Sequence, residues 1–164
     1  MTFQFRERND LSFNNRGFFG VAIFDAKHEA NVGALWRSAS VFGASFIATV
    51  GAKRYKSMRS DTMKSHRHIP LFHFNNIEDL KEHLPNGCRL IGVELTNDSV
   101  QLQKFTHPER ALYLLGAEDH GLPFYILQQT NEVVKISTPL NISLNVSVAG
   151  SIICYDRLLK RTEQ

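Results

Sequence analysis

The stretch Ser143-Leu144-Asn145-Val146-Ser147-Val148-Ala149-Gly150 decides how this chain is read. Two short polar side chains precede a run of small residues, and such a run lets a helix lie very close to its neighbour. Ser143 to Lys160 reads as one helix, with Ser143 placed to cap its first turn. Its apolar residues Val146, Val148, Ile152, Ile153, Leu158 and Leu159 exceed what one narrow face needs. That excess implies burial on more than one side.

Two further blocks stand upstream. One is Asn31-Val32-Gly33-Ala34-Leu35-Trp36-Arg37-Ser38-Ala39, followed by Phe42-Gly43-Ala44; the other is Leu114-Leu115-Gly116-Ala117-Glu118-Asp119-His120-Gly121-Leu122. Short apolar runs rich in branched and aromatic residues predict strands at Phe18–Phe24, Phe46–Val50, Leu71–Phe74, Arg89–Val93, Ala111–Leu115 and Val133–Ile136. Helical spacing predicts helices at Asn31–Phe42, ended by Gly43, and at Ile77–Leu84, stopped by Pro85-Asn86-Gly87. Pro123 opens a short helix. Strands that are continuously apolar and alternate with helices belong to an α/β fold, a mostly parallel sheet with helices on both faces. Ligands of such sheets sit outside the carboxyl ends of the strands, where all three blocks fall.

The chain has 164 residues, 43% of them hydrophobic, enough for one domain with a real core. Residues 17–164 are read as that domain and residues 1–16, with Arg6, Arg8 and Arg16, as a flexible arm. No apolar run approaches the length of a membrane span, and the N-terminus lacks an apolar signal core, so a cytoplasmic protein is expected. Cys88 and Cys154 lack CxxC spacing and read as buried free thiols. His66, His68 and His73 have no cysteine or carboxylate at ligand spacing, and no metal is expected. The formal charge is +3. More telling is the cluster Lys53, Arg54, Lys56, Arg59, Lys64 and Arg67, opposed only by Asp61. It reads either as a loop that meets phosphates, with Tyr55 able to stack on a base, or as a solvated basic surface.

In this order the three blocks resemble the motifs of the SpoU (TrmH-like) family of the SPOUT superfamily, over roughly residues 18–158. The resemblance implies an S-adenosylmethionine-dependent RNA ribose 2′-O-methyltransferase acting on tRNA or rRNA. It implies a C-terminal trefoil knot, a homodimer and no metal. It carries over Asn31, Arg37, Glu118, Ser143 and Asn145 as catalytic residues. Val93, Glu94, Leu115, Gly116, Gly121, Ile136, Ser143 and Leu144 would hold the donor, and Lys53, Arg54, Lys56 and Arg59 the RNA.

Read as residues, Asn31 is either an N-cap or a site amide. Arg37 either makes a surface ion pair or stabilises charge at the target oxygen. Glu118 would orient Asn31 or Arg37, and Asn145 would hold a ribose or Arg37. Arginine rarely gives up its proton, so the identity of the proton acceptor stays open. Two departures stand out: Gly116-Ala117-Glu118 where the family often has Gly-Asn-Glu, and a shorter loop over residues 137–142. They leave a catalytically inactive RNA-binding protein on the same knotted fold as the alternative. Base N-methylation is disfavoured by the Ser143–Ser147 block. A nicotinamide oxidoreductase is disfavoured because no G-x-G-x-x-G follows the first strand.

Overall fold

The computed structural model describes residues 17–55 and 68–162. The expected arm (residues 1–16) and Lys56 and Arg59 of the basic cluster lie outside the described residues. The strands are β1 (Phe18–Phe24), β2 (Phe46–Val50), β3 (Leu71–Phe74), β4 (Arg89–Val93), β5 (Val100–Gln101), β6 (Arg110–Leu115) and β7 (Glu132–Lys135). The helices are α1 (Glu29–Val41), α2 (Ile77–Glu82), α3 (Phe124–Leu127) and α4 (Val146–Thr162).

All seven strands form one sheet in the order β3-β2-β1-β6-β4-β7-β5, and every pairing is parallel. Ile23, Leu115, Val93 and Val134 lie side by side across β1, β6, β4 and β7. One row therefore delivers four loops to the same rim.

Both faces of the sheet are apolar, as continuous hydrophobic strands require. Phe19, Val21 and Ile23 of β1 and Tyr113 and Leu115 of β6 pack with Val32, Leu35 and Trp36 of α1 and Val146 and Ile153 of α4. Ala22, Leu112 and Leu114 point the other way, onto Ile77 and Leu80 of α2 and Ile126 of α3. Trp36 is buried, its Nε1 donating to the Ile69 carbonyl at 3.1 Å.

The small-residue run of α4 serves close approach, as expected. A Cβ on Gly150 would stand 2.4 Å from Leu35 Cδ1 of α1, and Ser151 Oγ donates to Ser38 Oγ at 2.8 Å. At its other end α4 is pinned below the sheet. Arg157, 1% exposed, donates to the carbonyls of Pro108 and Glu109 and to the Tyr113 hydroxyl. The fully buried His107 side chain joins this network, with Nδ1 2.6 Å from the Tyr113 hydroxyl and Nε2 2.8 Å from Asp156 Oδ2.

Several boundaries differ from expectation. A seventh strand, β5, forms the sheet edge. α2 stops at Glu82 rather than Leu84, α1 begins two residues early, at Glu29, and Pro123 flanks α3 instead of starting it. α4 begins at Val146, not Ser143. Cys154 is buried but Cys88 is only half-buried; both are free.

Candidate functional site

The β6–α3 turn is the hub of the rim. It closes tightly: Gly121 N donates to the Ala117 carbonyl at 3.0 Å. A Cβ on Gly116 would lie 2.1 Å from the Gly121 carbonyl carbon, so no larger residue fits there without backbone movement. Gly121 itself has φ +65°, in the left-handed region open to glycine, and a Cβ there would meet Glu94 Oε2 at 2.2 Å. That Glu94 carboxylate ties the end of β4 to the turn, accepting from Leu122 N at 2.7 Å and Leu95 N at 2.9 Å.

Glu118 reaches from this turn to the start of α1. Its carboxylate accepts from Lys27 N at 3.1 Å, His28 N at 3.3 Å and Asn31 Nδ2 at 2.9 Å. Burial alone would raise its pKa. The Asn31 amide, its own turn and the Lys27 and His28 N–H groups together hold it below the ordinary carboxylate value. A negative charge there also complements the helix dipole. Beside it, Asp119 is paired with Lys27 Nζ, which holds that carboxyl down as well, and with His120 Nδ1 at 2.7 Å.

The relay continues to α4. Asn145 Nδ2 donates to Asn31 Oδ1 at 3.0 Å, while Asn145 Oδ1 accepts from Ser147 N at 2.9 Å and Val148 N at 3.4 Å. Both amides are thus oriented by fixed partners. Asn145, not Ser143, caps α4. Asn31 is no N-cap either: it is the third residue of α1, which His28 flanks. The structure brings Asn31, Glu118 and Asn145 together, three residues that lie far apart in the chain. It does not tie Arg37 to them. Arg37 is exposed on α1 and makes no hydrogen bond or ion pair with any described residue, so neither Glu118 nor Asn145 holds it.

Against this relay lies a cavity of about 370 Å³, within the usual range for small-molecule sites. Its lining includes all eight residues expected to hold the donor: Val93, Glu94, Leu115, Gly116, Gly121, Ile136, Ser143 and Leu144. Glu118 and Asn145 also face it, whereas Asn31 stands behind them. Leu95, Ala117, Ile142, Val146 and Ala149 complete the wall, and Asp119 and His120 line it too. The last two were missed as site residues, although they sit inside the second motif block.

The basic segment begins beside this site. Lys53 Nζ donates to the Lys27 carbonyl at 2.8 Å and Tyr55 Oη to the Ala26 carbonyl at 2.7 Å. Tyr55 is therefore half-buried and tethered, not a free stacking platform. Arg54 is exposed and donates to Asn75 Oδ1.

The model of the SpoU rRNA Methylase family matches residues 19–155. The chain belongs to this family. Among curated relatives, the SpoU-family chain is 32% identical over 133 residues to the tRNA (guanosine(18)-2'-O)-methyltransferase TARBP1 of Mus musculus, covering 77% of this chain and 8% of that protein. It is 25% identical over 144 residues to the tRNA (guanosine(18)-2'-O)-methyltransferase of Aquifex aeolicus, covering 85% of this chain and 68% of that one. Against the mouse relative and the Saccharomyces cerevisiae enzyme, the chain spans only 8% and 9% of their length. The solved A. aeolicus TrmH/SpoU tRNA modifying enzyme superposes with a TM-score of 0.80 at 23% identity, over 93% of this chain and 80% of that one. An AdoMet-bound rRNA methyltransferase from Sinorhizobium meliloti shares the fold with a TM-score of 0.76 at 24% identity, over 86% and 56% of the two chains.

Proposed function

We propose that residues 17–164 work as one methyltransferase domain that transfers a methyl group from S-adenosylmethionine to a ribose 2′-hydroxyl of tRNA or rRNA. The observation that carries this reading is the relay Glu118–Asn31–Asn145 beside the cavity. The family's three motif blocks converge there, each in contact with the next. The intact relay favours an enzyme over an inactive RNA-binding protein.

The residues present fit the donor. Val93, Leu115, Ile136 and Leu144 offer apolar walls for a flat base. Glu94, Ser143 and Asn145 offer polar groups at their edges. The bound donor supplies a methyl group already activated on a cationic sulfur. The protein therefore needs no covalent step of its own, and its task is positioning. Asn31 and Asn145, locked by Glu118 and by the N-terminus of α4, are pre-organised to hold the target ribose. Arg37, exposed and unpaired among the described residues, is free to contact the target phosphate and to stabilise charge developing on the 2′-oxygen.

The same reading takes the chain as a cytoplasmic homodimer with a C-terminal trefoil knot. Support for the dimer comes from α4, whose Val148, Tyr155 and Leu159 remain 46%, 51% and 42% exposed. They lie at helical spacing on one face. Among the described residues, no helix is long and apolar enough to cross a membrane. Lys53 and Arg54 are read as RNA contacts, with Lys56 and Arg59 continuing the same basic run.

Titration calorimetry with S-adenosylmethionine, followed by transfer of labelled methyl to bulk tRNA and rRNA, tests the proposal. Donor binding with label in the ribose 2′-O-methyl fraction supports it. Absence of donor binding, with and without RNA present, refutes it.

A further inference from the structure

Tyr55 and Lys53 belong to the basic segment, yet both turn inward. The Tyr55 ring packs against the buried cluster that holds Phe19, Val32 and Trp36, and its hydroxyl donates to the Ala26 carbonyl at 2.7 Å. Lys53 Nζ lies 5.1 Å from the centre of that ring and donates to the Lys27 carbonyl at 2.8 Å. Both bonds fall on the β1–α1 loop, residues 25–28. The loop leaves β1 at Asp25, whose φ is +50° and whose N donates to the Val50 carbonyl at 2.7 Å.

The two carbonyls matter because of what lies at the other end of their peptide units. The Ala26 carbonyl shares a planar unit with Lys27 N–H, and the Lys27 carbonyl shares one with His28 N–H. Those are the two backbone N–H groups that donate to Glu118, at 3.1 and 3.3 Å. Each plane is thus held at both ends, one by Tyr55 and Glu118, the next by Lys53 and Glu118. In a trans peptide the C=O and N–H point in opposite directions, so a donor on the oxygen fixes where the hydrogen points. It also polarises the amide and strengthens the N–H as a donor, more so when it is a cation. The carboxylate so fixed takes its third hydrogen bond from Asn31 Nδ2 at 2.9 Å, and Asn31 Oδ1 accepts from Asn145 Nδ2 at 3.0 Å.

We propose that Tyr55 is a positioning residue of the methyl-transfer site, with Lys53 in the same role on the neighbouring peptide; both act through the β1–α1 loop and Glu118 on the Asn31–Asn145 pair. This rests on the methyltransferase reading above. Tyr55 does not line the cavity, so it acts on turnover and not on donor affinity. An ammonium has three N–H groups, so Lys53 can keep the Lys27 carbonyl while another meets a phosphate. RNA docked on this segment then bears on the same peptide that orients Glu118.

Tyr55→Phe removes the hydroxyl and leaves the ring in the core. In the full chain it lowers kcat about five- to tenfold, the equivalent of one neutral hydrogen bond, and leaves the donor Kd and the KM for RNA within about twofold. Glu118→Ala and the double variant Tyr55→Phe/Glu118→Ala have equal kcat, because Tyr55 acts through the carboxylate. Independently of turnover, amide hydrogen exchange of the free protein shows the Lys27 and His28 N–H groups protected in the wild type, although both residues are exposed. Tyr55→Phe speeds exchange at Lys27 more than at His28 or along β1. Wild-type kcat in Tyr55→Phe overturns the assignment, as do multiplicative losses in the double variant or a rise in exchange shared equally by the loop and β1. A wild-type protein that methylates no RNA overturns the methyltransferase reading and this assignment with it. An active wild type with an unaffected Tyr55→Phe variant overturns this assignment alone.

Discussion

Acid should weaken this fold through His107 before its carboxylates begin to titrate. Burial pushes the His107 pKa down to about 4, a loss that the hydrogen bond and charge of Asp156 only partly offset. The hydrogen bonds agree with a neutral ring: Nε2–H donates to Asp156 while Nδ1 accepts from Tyr113, whose oxygen in turn accepts from Arg157. An unfolded histidine titrates near ~6.5. The folded value lies below the unfolded one, so the unfolded chain binds this proton first. The stabilisation is therefore fully present above pH ~6.5 and drains away as pH falls towards 4. Below that, both states carry the proton. At about 1.4 kcal/mol for each pH unit in the window, the loss amounts to about 2 kcal/mol by pH 5 and about 3 kcal/mol by pH 4. His73 has a pKa lowered chiefly by burial and adds in the same direction, so the test is a difference. Urea unfolding of wild type and His107→Gln is followed between pH 7.5 and 4.5. The variant is less stable at pH 7.5, and the gap narrows by about 2.5 kcal/mol on acidification to pH 4.5. Parallel curves over that window refute the reasoning, as does a His107 resonance that titrates near 6.5.

Four other outcomes are expected. Glu118→Ala strands two backbone N–H groups and the Asn31 amide, costing about 2 kcal/mol. The melting temperature then falls by roughly 4–8 °C for a domain of this size; a change below about 1 °C removes Glu118 as the strut of the rim. Arg37→Ala abolishes methyl transfer, leaving the donor Kd and the melting temperature nearly unchanged, since the side chain is exposed; unchanged turnover removes Arg37 from the mechanism. Charge reversal at Lys53 and Arg54 weakens RNA binding and flattens the log–log salt dependence by about 2; an unaltered slope places the RNA elsewhere. Val148→Asp with Tyr155→Asp converts the dimer to monomer in sedimentation velocity, whereas a wild type that sediments as a monomer at micromolar concentration ends the dimer reading.

The sheet was legible because a parallel strand buried on both faces writes itself as an unbroken apolar run, and six of the seven strands do so. β5 escaped because two residues at an edge, Val100 and Gln101, both exposed, leave no such trace. Helix starts were less legible, for a physical reason. Ser143 and Asn145 are both good caps, and only the turn of the backbone into α4 decides which oxygen reaches the free N–H groups. At α1 the deciding group is remote in sequence: the Glu118 carboxylate takes up the N–H groups of Lys27 and His28, and the helix begins ahead of Asn31. The second and third motif blocks border the cavity, and the first reaches it only through Asn31. Which polar side chains pair there depended on the tertiary approach of three loops. That is why Asn31 was open between two roles and the Asp119–His120 pair was passed over.

β6 occupies a particular place in the order of synthesis. Strand β1 must wait about ninety residues for the partner on its second side, Phe18 facing Arg110. β4 likewise pairs only with β6 and β7. Until β6 emerges, the nascent chain holds a β1–β2–β3 half-sheet and a lone β4, with apolar hydrogen-bonding edges exposed. At ordinary translation speeds that interval is roughly 5–20 s. Unpaired edges of this kind recruit other chains. The strand that leads into the β6–α3 turn is thus also the keystone that closes the fold, and lesions at its buried Leu112 or Tyr113 will reduce the yield of soluble protein.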